Sequence, residues 1–76
     1  MNDIRITDDA IEIGELHENG EFYVKWDVAA RDVDTEQKIL AWVFHLSMKD
    51  WIDQYDIHSF IEGCVKIHPT VDICLR

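Results

Sequence analysis

Seventy-six residues, 47% hydrophobic and 30% charged, carry sixteen Asp and Glu against seven Lys and Arg, a net charge of −9. That hydrophobicity excludes a disordered chain, and one Pro with three Gly excludes a linker or low-complexity stretch. So acidic a surface repels nucleic acid and anionic membranes and attracts basic partners.

In chain order, Ile4 and Ile6 alternate with polar residues and predict a short strand, ended by Asp8-Asp9. The runs Ile11 to Leu16 and Phe22 to Val28 flank His17-Glu18-Asn19-Gly20-Glu21, a hairpin signature with Asn-Gly in the turn. The second run alternates, with Phe22, Val24, Trp26 and Val28 on one face and Tyr23, Lys25 and Asp27 on the other. The first run does not. A two-residue turn keeps Ile11 and Ile13 on the Trp26 face, whereas a three-residue loop with left-handed Gly20 pairs Leu16 with Phe22 and flips Ile13 outward. A bulge at Gly14 or Glu15 reconciles the two ends.

Asp34 followed by Gln37 resembles a capping box, and Ile39, Leu40, Val43, Phe44 and Leu46 predict a helix from Thr35 to about Met48 with a wide buried stripe. Asp53, or Asp50, is expected to cap a second helix bearing Ile57, Phe60 and Ile61 on one face, with Gly63 as its terminator. Val65 and Ile67, then Val71, Ile73 and Leu75 beyond Pro69-Thr70, alternate like strands. The expected fold is one α+β domain over residues 1–76. It has a twisted antiparallel sheet, made of the N-terminal hairpin and one or both C-terminal strands, with two helices on one face. The open sheet face is then expected to carry Glu12, Tyr23, Lys25 and Asp27.

No catalytic motif stands out. There is no phosphate loop, dinucleotide fingerprint, nucleophile elbow or His-Glu-x-x-His, so no enzyme activity and no cofactor is expected. His58, Cys64, His68 and Cys74 invite a zinc reading, but their order matches no standard template, and a metal-binding regulator ranks third among the functional readings. The two cysteines are expected as small buried thiols. No apolar run spans a bilayer and the first residues lack the order of a signal peptide, so a cytoplasmic location is expected. His45 is expected to be partly buried, donating to a backbone carbonyl. Trp51, in the connection between the helices, is the preferred exposed aromatic anchor.

The charge is unevenly spread. Residues 1–36 hold eleven acids and three bases, a balance of −8, and residues 37–76 hold five acids and four bases, a balance of −1. Carboxylates gathered on one half of a chain can occupy the places of phosphates in a basic cleft. Glu12, Glu15, Glu18, Glu21 and Asp27, with Tyr23 and Trp51, are the expected partner-binding residues.

The segment Leu40-Ala41-Trp42-Val43-Phe44-His45-Leu46-Ser47-Met48-Lys49-Asp50-Trp51, with Phe60-Ile61, resembles a pattern in small accessory proteins of bacteria, phages and mobile elements, among them acidic anti-CRISPR and anti-defence inhibitors. The resemblance covers about 25 residues, has no catalytic content and carries over no functional residue. It implies a small inhibitor or regulator of a basic nucleic-acid-handling protein, such as a CRISPR effector. The alternative is a homo-oligomeric accessory protein, dimerising through an apolar helical stripe or an exposed edge strand.

Overall fold

The computed structural model describes residues 2–71. The alternation around Ile4 and Ile6 forms β1 (Asp3–Ile6). Thr7 turns the chain: its N–H donates to the Ala10 carbonyl at 2.9 Å, and its hydroxyl oxygen accepts the Ala10 N–H at 3.0 Å. β2 (Ala10–Leu16) returns antiparallel, and β3 (Phe22–Ala29) pairs antiparallel with β2, giving the sheet order β1-β2-β3. The fold is thus α+β, a three-stranded antiparallel sheet with two helices on one face. The third strand comes from the N-terminus rather than from Val65 and Ile67, which lie in a helix; Ile73 and Leu75 fall outside the described residues.

The hairpin settles the conflict between its two possible turns. The N–H of His17 donates to the Glu21 carbonyl (2.8 Å) and that of Gly20 to the His17 carbonyl (2.9 Å), closing a three-residue loop in which Gly20 takes the left-handed conformation at φ 87°. Leu16 pairs with Phe22, and the register shifts between Ile13 and Gly14, where a bulge was expected. The extra residue sits on the opposite strand. Ile13 pairs with Trp26 and Gly14 with Val24, so Lys25 of β3 is the unpaired one. Gly14 makes room for it, since a Cβ there would lie 1.9 Å from the Tyr23 carbonyl oxygen.

This location reassigns the sheet faces. Directly opposed residues share a face, so Ile11–Val28 and Ile13–Trp26 point to the helices, whereas Gly14–Val24 and Leu16–Phe22 point away. Phe22 and Val24 therefore leave the Trp26 face on which unbroken alternation set them. Tyr23, opposite Glu15, lies on the helix side of the sheet rather than on the open face. Lys25 turns to the helix side as well, its ammonium 5.4 Å from the Trp51 ring. Of the four residues expected on the open face, Glu12 and Asp27 remain.

After the 3-10 turn Ala30–Val33 comes α1 (Glu36–Ser47). Its cap is Thr35, whose hydroxyl accepts the Lys38 N–H at 3.2 Å; Asp34 instead pairs with the Lys38 ammonium at 2.9 Å. α2 (Gln54–Ile67) starts at Asp53 with a reciprocal capping box: the Asp53 carboxylate accepts the Asp56 N–H (2.9 Å) and the Asp56 carboxylate accepts the Asp53 N–H (3.1 Å). Gly63 does not end this helix. It sits where α2 crosses the sheet, and a Cβ there would approach Ile6 Cδ1 to 3.2 Å. The helix stops at His68, just before Pro69, which disfavours a helical residue ahead of it.

The core lies between the sheet and the helices: Ile11, Ile13, Val28, Val33, Ile39, Leu46, Phe60 and Cys64 are all buried. Asp56 is the buried acid among the described residues, and its carboxylate also accepts the Asn2 backbone N–H and an Asn2 Nδ2 hydrogen, each at 2.8 Å. Asn2 Nδ2 further donates to the Trp51 carbonyl at 2.8 Å, so the chain start is tied to the head of α2. His68 lies 2.6 Å from the Ala30 carbonyl through Nε2 and ties the other end of α2 to the 3-10 turn.

Candidate functional site, the hairpin end

None of residues 15–25 is buried. The far half of the β2–β3 hairpin therefore does no core work, yet it is internally braced. The Glu15 carboxylate takes the Lys25 ammonium at 3.1 Å and lies 3.5 Å from His17 Nε2. The Lys25 hydrogen bond, followed by its positive charge, lowers the Glu15 pKa below 4.5. The Tyr23 hydroxyl donates to Glu21 Oε2 at 2.8 Å, which raises the phenol pKa above 10.0 because ionisation would forfeit that bond and face a carboxylate. His17 packs edge-on against the Tyr23 ring, centroids 4.2 Å apart. A chain of contacts thus runs from Lys25 through Glu15, His17 and Tyr23 to Glu21, with Glu18 and Asn19 at the tip. Asp3, Glu15, Leu16, His17, Glu18 and Asn19 line an open depression of about 640 Å³.

The outer side of the same finger is apolar. Leu16 is 60% exposed and Val24 45%, and Phe22 lies between them in the pairing. The Arg5 guanidinium stacks 4.6 Å from the Phe22 ring centroid while its Nε donates to Glu12 at 2.6 Å. Asp3 Oδ2 accepts the Leu16 N–H at 2.9 Å at the margin of this patch. An apolar centre with a charged rim is the anatomy of a protein-binding surface.

The sequence-predicted residues divide accordingly. Glu15, Glu18, Glu21 and Tyr23 come together at the hairpin end. Glu12 and Asp27 face each other across the strands further down the open face; Glu12 is neutralised by Arg5, and Asp27 is in no ion pair among the described residues. Glu15 is neutralised in turn by Lys25. Glu18 and Glu21 therefore carry the uncompensated charge of the tip. Trp51 is elsewhere: it is half-buried against the core, with Lys25 and Lys49 5.4 and 6.0 Å from its ring. The strongly exposed aromatics are Phe44, Tyr55 and Tyr23 instead. His45 is exposed rather than partly buried, and its ring packs 5.3 Å from Trp42 and 5.4 Å from Trp26.

The three described residues of the zinc reading do not converge. His58 pairs with Glu62 at 2.8 Å on the surface of α2, Cys64 is buried with its thiol pushed up to about 12 by burial, and His68 faces the Ala30 carbonyl. Cys74 lies outside the described residues. Among the described residues no group of three His, Cys, Asp or Glu side chains could hold a metal ion, and no helix is long and apolar enough to cross a membrane.

No family model, curated protein or solved structure matches the chain.

Sequence reasoning missed two surfaces. The apolar patch of Leu16, Phe22 and Val24 depends on which strand carries the bulge. The second is Leu40 and Phe44 on α1 with Met48 at its C-cap, exposed at 69, 69 and 75%, so Leu40 and Phe44 leave the buried stripe in which they were expected. Its signal was present in the sequence: at about 100° per residue, these three positions centre roughly 150° away from Ile39 and Leu46, too far for one sheet to cover both sets.

Proposed function

We propose that this protein is a non-catalytic inhibitor or regulator that binds a basic, nucleic-acid-handling protein through its hairpin end. The observation that carries the reading is a braced finger, residues 15–25, free of core duty, with uncompensated carboxylates at its tip and on one side and exposed apolar side chains on the other. Folding does not require so many exposed large apolar residues on a solvated hairpin, and a partner surface would cover them. Glu15, Glu18, Glu21 and nearby Asp3 stand against Lys25, four negative charges to one positive, a local balance of −3. That sign suits a cleft built for phosphates and disfavours direct nucleic-acid contact.

In this reading Glu18, Glu21 and Asp27 supply attraction, Tyr23 is the aromatic contact, and Leu16, Phe22 and Val24 form the desolvated centre. Glu12 and Glu15 act through their partners, shaping the surface more than charging it. A phage or mobile-element inhibitor of a CRISPR effector, working in the cytoplasm, is the specific case the sequence resemblance favours. The test is capture from a nuclease-treated bacterial lysate containing candidate defence complexes, with washes at low and high salt. A basic nucleic-acid-binding protein held at low salt and released at high salt is the expected result. Retention of no such protein overturns the reading.

A further inference from the structure

The exposed face of α1 carries the next inference. Gln37, Leu40, Ala41, Phe44, Ser47 and Met48 are all exposed, and none is charged. Ser47 withdraws its hydroxyl by donating to the Phe44 carbonyl at 2.7 Å, so the face is less polar than its composition. Taking roughly 200 Å² as the full surface of a large side chain, Leu40, Phe44 and Met48 at 69, 69 and 75% exposure leave about 400 Å² of apolar surface on one helix. Water covers such a patch at a cost.

We propose that a second copy of this chain covers this face, the two α1 helices packing antiparallel about a two-fold axis at Phe44. Three observations single out that occupant. The ridge is symmetric about its own centre: Leu40 lies four residues before Phe44 and Met48 four after, so a two-fold at Phe44 sets each Leu40 against the partner's Met48 in self-complementary fashion. Positions four apart form the ridge that interdigitates with its like in the commonest helix-packing class. Charge selects the same face. Two chains of net charge −9 repel each other over most of their surfaces, and on this row the exposed acid, Glu36, sits at the end away from the two-fold, so the antiparallel arrangement keeps it from its counterpart.

The area sets the strength. Two ridges bury about 800 Å² of large side chains, and Gln37, Ala41 and Ser47 extend this toward the roughly 1,200 Å² at which specific interfaces begin. The dimer is therefore small and concentration-dependent, dissociating at micromolar levels. Because the net charge opposes it while apolar contact drives it, added salt strengthens it. That is the reverse of the salt response of the acidic hairpin, so the two surfaces fail or succeed separately.

Sedimentation velocity across roughly 1–500 μM, at low and high salt, reads this directly. The mass is expected to rise from 9.0 kDa toward twice that value, and to rise at lower concentration in high salt. Phe44→Glu is expected to weaken self-association at least tenfold without changing the circular dichroism spectrum, because Phe44 is outside the core. Leu40→Lys alone is expected to weaken it, and Leu40→Lys combined with Met48→Glu to restore it, since the antiparallel arrangement opposes those two positions. A chain that stays monomeric throughout overturns the proposal and leaves the face to a different macromolecule. Dimerisation that Phe44→Glu leaves unchanged overturns it too, by moving the interface elsewhere. A double variant no better than Leu40→Lys overturns the antiparallel register.

Discussion

Replacing Gly14 by Ala tests the bulge on which the outer face of the sheet depends. The added Cβ would sit 1.9 Å from the Tyr23 carbonyl oxygen, 2.8 Å from its carbon and 3.1 Å from Phe22 Cε1. Relief requires the β3 backbone to move by more than about 1 Å, at the upper end of the roughly 1–3 kcal/mol that overpacking costs. A 76-residue domain is expected to have only about 4–11 kcal/mol in total. At about 4–8 °C per kcal/mol for this size, the melting temperature should fall by roughly 10–20 °C. Gly20→Ala is the graded control: nothing lies within 4 Å, but φ of 87° costs an L-residue about 1–2 kcal/mol. Gly63→Ala meets side-chain atoms alone, Ile6 at 3.2 and 3.4 Å and Ile11 Cδ1 at 3.7 Å, and should cost least. Thermal unfolding followed by circular dichroism should rank the losses Gly14, then Gly20, then Gly63. A Gly14→Ala variant within about 2 °C of the parent would refute the bulge at Lys25, and with it the outward placement of Phe22 and Val24.

Three further expectations follow from the contacts. Asp56→Ala strands the Asn2 and Asp53 donors beside α2 and should cost about 2–4 kcal/mol in urea unfolding; an unchanged midpoint would contradict the clasp. Tyr23 is held protonated by Glu21, and a raised phenol pKa adds stability below pH 10.0 that is lost as pH climbs through the folded value. Glu21→Gln should therefore move the Tyr23 ultraviolet titration to lower pH, and an unmoved curve would disprove the hydrogen bond. The Cys64 thiol, buried and pushed up to about 12, should react with a thiol reagent only at the rate of unfolding; fast labelling of Cys64 in the native state, mapped by mass spectrometry, would place it outside the core.

Much of the fold was legible where two local signals had to agree. The clash between Gly20 in a left-handed loop and Ile13 on the core face required an extra residue near Gly14, and the structure has one. Which strand carried it was not legible, because an insertion on either side restores the alternation. The decision rests on a tertiary contact, the Tyr23 carbonyl fitting where Gly14 lacks a Cβ. Val65 and Ile67 misled because two apolar residues separated by one suit a strand, yet both also sit at the half-buried margin of a helix. Gly63 read as a stop because glycine commonly ends helices; here it marks a close crossing over Ile6.

The candidate site shows the same division. Residue types and their crowding in the N-terminal half were visible as sequence, but neutralisation of Glu12 by Arg5 and of Glu15 by Lys25 depends on strand pairing and on the bulge. Trp51 looked like an anchor because it sits in a connection, and it became a half-buried platform because the Asn2 clasp draws that connection onto the domain.

The most direct test of the hairpin reading is the affinity of the captured basic partner for three forms of the protein: the parent, Glu18→Lys with Glu21→Lys, and Glu36→Lys. Glu36 begins α1, beyond the end of β3 that lies about 23 Å from the hairpin loop, and shows what one charge reversal outside the hairpin does, half the net-charge change of the double variant. Reversal of two exposed charges at an interface should cost about 1–2 kcal/mol, roughly 5- to 30-fold in affinity, and flatten the salt dependence. Glu36→Lys should bind like the parent. Equal affinities for all three forms would contradict the assignment of the acidic hairpin as the binding surface.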